Sequence, residues 1–298
     1  MKKKIDTKYL SALGRVFSPI VMDSLSQKGY SSYLTEVCAN CGLLEKIDSS
    51  MTLRQFLDWI YNLLFKNYRN EYIYKNVIAN KILLGKHSLN TSHMLTEFRV
   101  GKCKADVVIL NGTSTVYEIK SEYDSFARLE KQIQTYFEIF EFINVITAPS
   151  QLEKLKSILP EKVGILSLTK RKTIATIREA KSNMVNINAI TLFDSFRKPE
   201  YLKIIKEYYG KIPDVPNTQI HNVCKKLFCE IPPVDSHYLT IKTFRERSDS
   251  KVLKEFIIKY PMSLTAYAMS ICNEKKKMQK IMELLDENIY SMLVSEFI

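Results

Sequence analysis

Two short apolar runs joined by Asn111-Gly112 constrain this chain more than any other feature. Ala105 to Leu110 and Thr115 to Lys120 are rich in Val, Ile, Thr and Tyr, residues that fit a pleated sheet better than a helix. Asn and Gly accept the left-handed backbone that tight hairpins require, so the pair reads as the connection between two antiparallel strands. Each run carries charge among its apolar residues: Asp106 in the first, Glu118 and Lys120 in the second.

The flanking segments extend the pattern. Leu95 to Val100 alternates as a third strand. Asp124 is placed to N-cap a helix running to about Glu141. Phe142 to Ala148 reads as a strand, Gln151 to Leu159 as a helix closed by Pro160, and Val163 to Leu168 as a final strand. Upstream, apolar residues recur at helical spacing through residues 1–50, from Leu53 to Phe65, and from Glu71 to Leu84 before Gly85. After about residue 170, proline-containing loops at 212–216 and 231–234 separate helical stretches. The expected organisation is a helical N-terminal segment (1–69), an α/β core with a mixed sheet (70–169), and a mostly helical C-terminal region (170–298). A helix between the third and fourth strands makes the crossover that a parallel pairing needs.

Composition narrows the function classes. Without a run of about 20 apolar residues, no membrane span is expected. Lys2-Lys3-Lys4 is followed by Ile5-Asp6-Thr7-Lys8 instead of an apolar stretch, so no secretory leader is expected and the cytoplasm is the expected compartment. There the six cysteines would be reduced thiols. Cys38 and Cys41 have zinc-ligand spacing, but His221, Cys224 and Cys229 form no second matching pair, and buried thiols are the simpler reading. The formal charge of +12, spread over both halves, suits a polyanionic partner. A Gly-rich phosphate loop and a Ser or Cys nucleophile motif are both missing from the sequence.

The charged residues in the hairpin carry the chemistry. Side chains alternate along a strand, so Glu118 and Lys120 share one face and Ile119 takes the other. Asp106 and Glu118 converging at a sheet edge, with the backbone carbonyl of Ile119, make an oxygen donor set suited to Mg²⁺ or Mn²⁺. Lys120 beside it would orient water or stabilise charge on a phosphate. A surface ion pair between Glu118 and Lys120 is the plain alternative. Apolar neighbours on both strands favour a buried and functional pair. Glu97, on the preceding strand, reads as a supporting or surface charge.

Asp106 followed by Glu118-Ile119-Lys120 resembles the PD-(D/E)XK nuclease superfamily, over roughly residues 70–170. Gln132-x-x-x-Tyr136 resembles the element of its RecB-like and Cas4-like members. The resemblance implies a restriction-endonuclease-like αβββαβ core. It also implies Asp106 and Glu118 as metal ligands, Lys120 as the catalytic lysine, and an acid from the first helix, for which Glu71 is the candidate. Ala105 stands where the motif has proline. Arg128, Gln132 and Tyr136 fall on one stripe of the next helix, where they would bind substrate or position Lys120; Phe126, Leu129, Ile133, Phe137 and Phe140 form the opposite, core stripe. The expected activity is metal-dependent cleavage of phosphodiester bonds, with DNA the favoured substrate, in bacterial or phage DNA metabolism or defence. An RNA-cleaving toxin and a non-catalytic nucleic-acid-binding protein are the competing readings. The C-terminal region is a candidate surface for substrate, a protein partner or a second copy.

Hairpin register decides whether this chemistry is possible. A two-residue loop would set Asp106 opposite Tyr117 and send the two carboxylates to opposite faces. A three-residue loop sets Asp106 opposite Glu118, on one face. The chemistry therefore requires an odd loop length, such as this one, or a bulge between the two positions; the expectation is that both carboxylates lie on one face within reach of a common cation, despite the simplest hairpin register.

Overall fold

The computed structural model describes residues 6–247 and 250–294; the basic run Lys2-Lys3-Lys4 lies outside them. The chain divides into two compact units, residues 1–85 with 249–298, and residues 86–248. These are not the boundaries drawn from changes of pattern along the sequence, because segments distant in the chain pack together.

The first unit is helical. Thr52 and Gln55 form a capping box at the start of the helix Leu53–Asn67, satisfying amide donors that the first turn leaves open. Asn70 caps Glu71–Ile78 through a bond from the Ile73 amide. That helix continues through a π-helical turn at Ala79–Leu83 into Leu84–Lys86, one residue beyond the stop expected at Gly85. The buried Asn76 carboxamide ties in the C-terminal segment. It donates to the Met262 carbonyl at 2.7 Å and accepts from the Ala266 amide at 2.9 Å. Such bonds satisfy polar groups that would otherwise be buried alone, and they explain why residues after 250 join the N-terminal helices. Cys38 and Cys41 are buried thiols in this unit, and burial pushes the Cys38 thiol up to about 12.

The second unit is built on a six-stranded mixed sheet in sequential order. Its strands are β1 (His93–Val100), β2 (Cys103–Leu110), β3 (Ser114–Lys120), β4 (Phe142–Thr147), β5 (Gly164–Leu168) and β6 (Ile174–Arg178). β1, β2 and β3 form an antiparallel meander, β3, β4 and β5 run parallel, and β6 returns antiparallel. The α/β class and the mixed sheet are as expected; β6 lies beyond the strand read as final. It was hidden by its composition: Ile-Ala-Thr-Ile-Arg at the sheet edge is only partly covered, so it lacks a buried strand's continuous apolar run.

The helix Leu129–Phe137 covers the sheet, with Leu129, Ile133 and Tyr136 buried. It starts five residues after Asp124, and Asp124 does not cap it. That carboxylate closes its own loop, accepting from the Ser121 amide at 2.8 Å and the Ser121 hydroxyl at 2.7 Å. Residues 189–245 also pack onto this layer. Phe193, Phe228 and Phe244 share one apolar core with Val116, Ile133 and Ile143 of the sheet layer. His237 is buried there, with Nε2 at 2.9 Å from the Ser114 hydroxyl of β3. Among the described residues, no helix is long and apolar enough to cross a membrane.

Two stability predictions follow from this packing. A Cβ on Gly164 would collide with the Asn144 carboxamide oxygen and lie 2.9 Å from the Ala180 amide nitrogen. Gly164→Ala should therefore destabilise the protein by about 1–3 kcal/mol, read as a lower urea midpoint; an unchanged midpoint would contradict this packing. Burial, with Arg245 nearby in the case of His93, depresses His93 and His237 to about 4. The unfolded chain, with histidines near 6.5, binds protons that the folded chain refuses. Stability should thus be fully present above about pH 6.5 and fall as the pH drops toward 4. His237→Asn should flatten that fall; a profile identical to the parent's would show that His237 titrates normally.

Candidate functional site

The β2–β3 hairpin closes with three loop residues. Leu110 pairs with Ser114 and Val107 with Tyr117, and Gly112 supplies the left-handed backbone at φ 90°. The same register, continued, sets Asp106 opposite Glu118. The ladder ends at Val107 and Tyr117, and Asp106 takes over there. Its carboxylate accepts from the Ile119 amide at 2.8 Å, giving that N–H the partner a ladder bond would have provided.

Glu118 is 1% exposed, so its charge must be matched inside the fold. The Tyr136 hydroxyl donates to one oxygen at 2.7 Å, and the Lys120 ammonium lies 2.8 Å from the other. Lys120 in turn donates to the Gln132 side-chain oxygen at 3.0 Å. Tyr136 also reaches the Lys104 carbonyl at 3.2 Å. Burial, then the neighbouring Glu118 and Asp106 carboxylates, raise the Tyr136 phenol well above its ordinary range; it therefore stays protonated and donates. One helix face thus presents an amide to the lysine and a phenol to the glutamate.

Gln132 and Tyr136 accordingly meet the site, as their spacing implied. Arg128 is exposed at the helix start, and among the described residues its side chain makes no ion pair. Glu71 belongs to the other unit, where it opens a helix and pairs with Lys75 at 2.5 Å. Sequence reasoning understated Glu97. Its register position is opposite Asp106, a ligand oxygen of each lying within 4.8 Å. It pairs with Lys104 and holds φ 55°, a left-handed conformation that non-glycine residues rarely adopt. The register was the available signal, because two acids directly across a ladder repel unless something offsets them.

The oxygens of Asp106 and Glu118 are hard donors, suited in kind to Mg²⁺ or Mn²⁺. A carboxylate oxygen has two lone pairs, so the bonds to Tyr136 and Lys120 leave acceptor capacity. The site lies where parallel β3 and β4 end, with Lys120 and Thr147 adjacent; open α/β sheets commonly bind ligands at such strand ends.

Residues 65–259 match the family model described as Bacteriophage P4 protein cII. Protein cII of Enterobacteria phage P4 is 23% identical over 107 residues, which cover 35% of this chain and 40% of that protein. The match thus spans well under half the length of that relative. A solved Silicibacter pomeroyi protein of unknown function aligns at 22% identity and a TM-score of 0.26, over 31% of this chain and 62% of that one. At that score it carries no argument.

Removing the phenol tests the site's architecture without any assay of activity. Tyr136→Phe should destabilise the protein by about 1.5–3 kcal/mol, the usual cost of losing a hydrogen bond to a charged group. Exposed Glu130, on the same helix, should tolerate alanine with little change. Equal urea midpoints for both variants would rule out a buried, tyrosine-held Glu118.

Proposed function

This chain belongs to the family of bacteriophage P4 protein cII, and we propose that it is a metal-dependent nuclease, cleaving phosphodiester bonds of DNA. The observation that carries the reading is the buried Glu118–Lys120 pair held by Tyr136 and Gln132, with Asp106 at the neighbouring strand end. Burying two charges is expensive, and a fold that keeps them at a sheet edge beside a further acid favours function over packing. The element order of one helix, three strands, helix and strand accords with the PD-(D/E)XK resemblance.

In this mechanism Asp106 and Glu118 would hold Mg²⁺ or Mn²⁺, with the Ile119 carbonyl a further donor. Such a dication, when bound, would supply Lewis acidity toward the phosphate. Lys120 keeps a fixed ammonium beside the reacting phosphate, stabilising charge that grows in the transition state. Gln132 holds that ammonium in place, and Tyr136 fixes the orientation of Glu118. The setting proposed is bacterial or phage DNA metabolism or defence.

One observation favours a second reading. Both Glu118 oxygens already have partners within the fold, as a non-catalytic nucleic-acid-binding protein with a self-satisfied polar core would have. Cleavage assays on DNA and RNA with Mg²⁺ or Mn²⁺ separate the readings. Asp106→Asn keeps an acceptor for the Ile119 amide while removing the charge. With Glu118→Gln and Lys120→Gln, it should lower cleavage by at least about a hundredfold, with unchanged circular dichroism. Gln132→Ala should cost more activity than Glu130→Ala. Full activity in all three charge variants would exclude the nuclease reading, and an inactive parent protein would favour the second.

A further inference from the structure

The parallel strands β3, β4 and β5 end at one edge of the sheet, and the loops leaving that edge carry features the cleavage chemistry does not use. The β5–β6 connection is a tight turn, Thr169 to Thr173. It is closed by the Thr169 amide donating to the Thr173 carbonyl at 2.9 Å and by the two threonine hydroxyls at 2.8 Å. Three cations in succession, Lys170, Arg171 and Lys172, occupy its tip. Lys170 and Arg171 are exposed and, among the described residues, make no ion pair. Lys172 adopts φ 60°. Like charges packed into one short turn repel each other, and nothing acidic lies within the turn to offset them.

The loop after β3 carries the second feature. Tyr123, three residues beyond Lys120, is 56% exposed. Its loop is not loose: Asp124 closes on Ser121, the Tyr123 amide donates to the Ser121 hydroxyl at 3.3 Å, and the Gln151 side chain reaches the Glu122 carbonyl at 3.5 Å. An aromatic ring is therefore presented to water by an ordered support. Glu122 is the opposing charge on this loop, since Asp124 is engaged by Ser121. Strands β3 and β5 are parallel and two spacings apart, roughly 10 Å, so the loops that follow them leave the same edge of the sheet.

We propose that this edge is a binding surface for single-stranded DNA, with Tyr123 as a stacking platform for an unpaired base and Lys170 and Arg171 as contacts to backbone phosphates on one side of the site. Cations that follow the backbone together with an aromatic that stacks a base are the combination that unpaired strands require. A duplex keeps its bases stacked inside and offers no unpaired base face to an exposed ring. The surface rests on the nuclease reading only for its role of delivering a strand to Asp106, Glu118 and Lys120; binding itself is independent of cleavage.

The test is fluorescence anisotropy in EDTA, where no cleavage occurs, with a labelled oligothymidylate of about 12 nucleotides and a duplex of the same length. The full-length protein should bind the single strand more tightly than the duplex. Tyr123→Ala should weaken single-strand binding about tenfold, and Tyr123→Phe should restore it. Lys170→Ala/Arg171→Ala should reduce the slope of log affinity against log salt by about 1.4, for two phosphates released. Preference for the duplex, or parental affinity and salt slope in these variants, would overturn the inference. Binding that follows this pattern in a protein that cleaves nothing would sustain the surface and remove the nuclease reading.

Discussion

A carboxylate buried to 1% exposure cannot be left without partners, and much of the second unit is arranged around that requirement at Glu118. Tyr136 and Lys120 supply the partners, and Gln132 holds Lys120 in turn. Glu118, Lys120 and Tyr136 are all buried. Leu129 and Ile133 pack on the sheet while Gln132 and Tyr136 bond to it. Apolar burial alone would allow the helix to shift along the sheet with little penalty, whereas directional bonds to a buried charge fix its position. The same bonds make removal of one partner more costly than the pair is worth in net stability.

The second constraint is the point where β2 and β3 stop pairing. Beyond Val107 and Tyr117 the backbone of Ile119 needs a partner, and Asp106 provides one from its side chain. A structural need thereby holds an acid beside the buried Glu118. The left-handed Glu97 stands opposite Asp106 on β1, so the irregularity extends across three strands at the edge where the acids collect. Local departures from regular geometry commonly gather at functional sites, which accords with the function proposed for this place.

Most of the second unit was legible in the sequence. Runs such as Val107-Val108-Ile109-Leu110 and Val145-Ile146-Thr147 fix strands through side-chain shape, and Gly112 permits the hairpin. The stripe on the covering helix was legible in part, because a 3.6-residue period places Gln132 and Tyr136 one turn apart but does not tell whether Arg128 is still over the sheet. The structure ends that stripe early: the helix begins only at Leu129, Asp124 being engaged in its own loop.

The sequence by itself determined most element types and apolar faces, and it singled out Asp106, Glu118, Lys120, Gln132 and Tyr136, because these depend on local pattern and residue chemistry. Tertiary structure decided the rest. Asn111-Gly112 is compatible with a loop of two or three residues, and only the pairing of Leu110 with Ser114 selects the register that sets Asp106 opposite Glu118. The edge strand β6, the inclusion of Phe193, Phe228 and Phe244 in the sheet's core, and the return of residues after 250 to the N-terminal helices all arise from contacts between segments far apart in the chain. Such contacts depend on shape and bonding partners that no local window of sequence contains, which is why composition after residue 170 announced helices but not where they would pack.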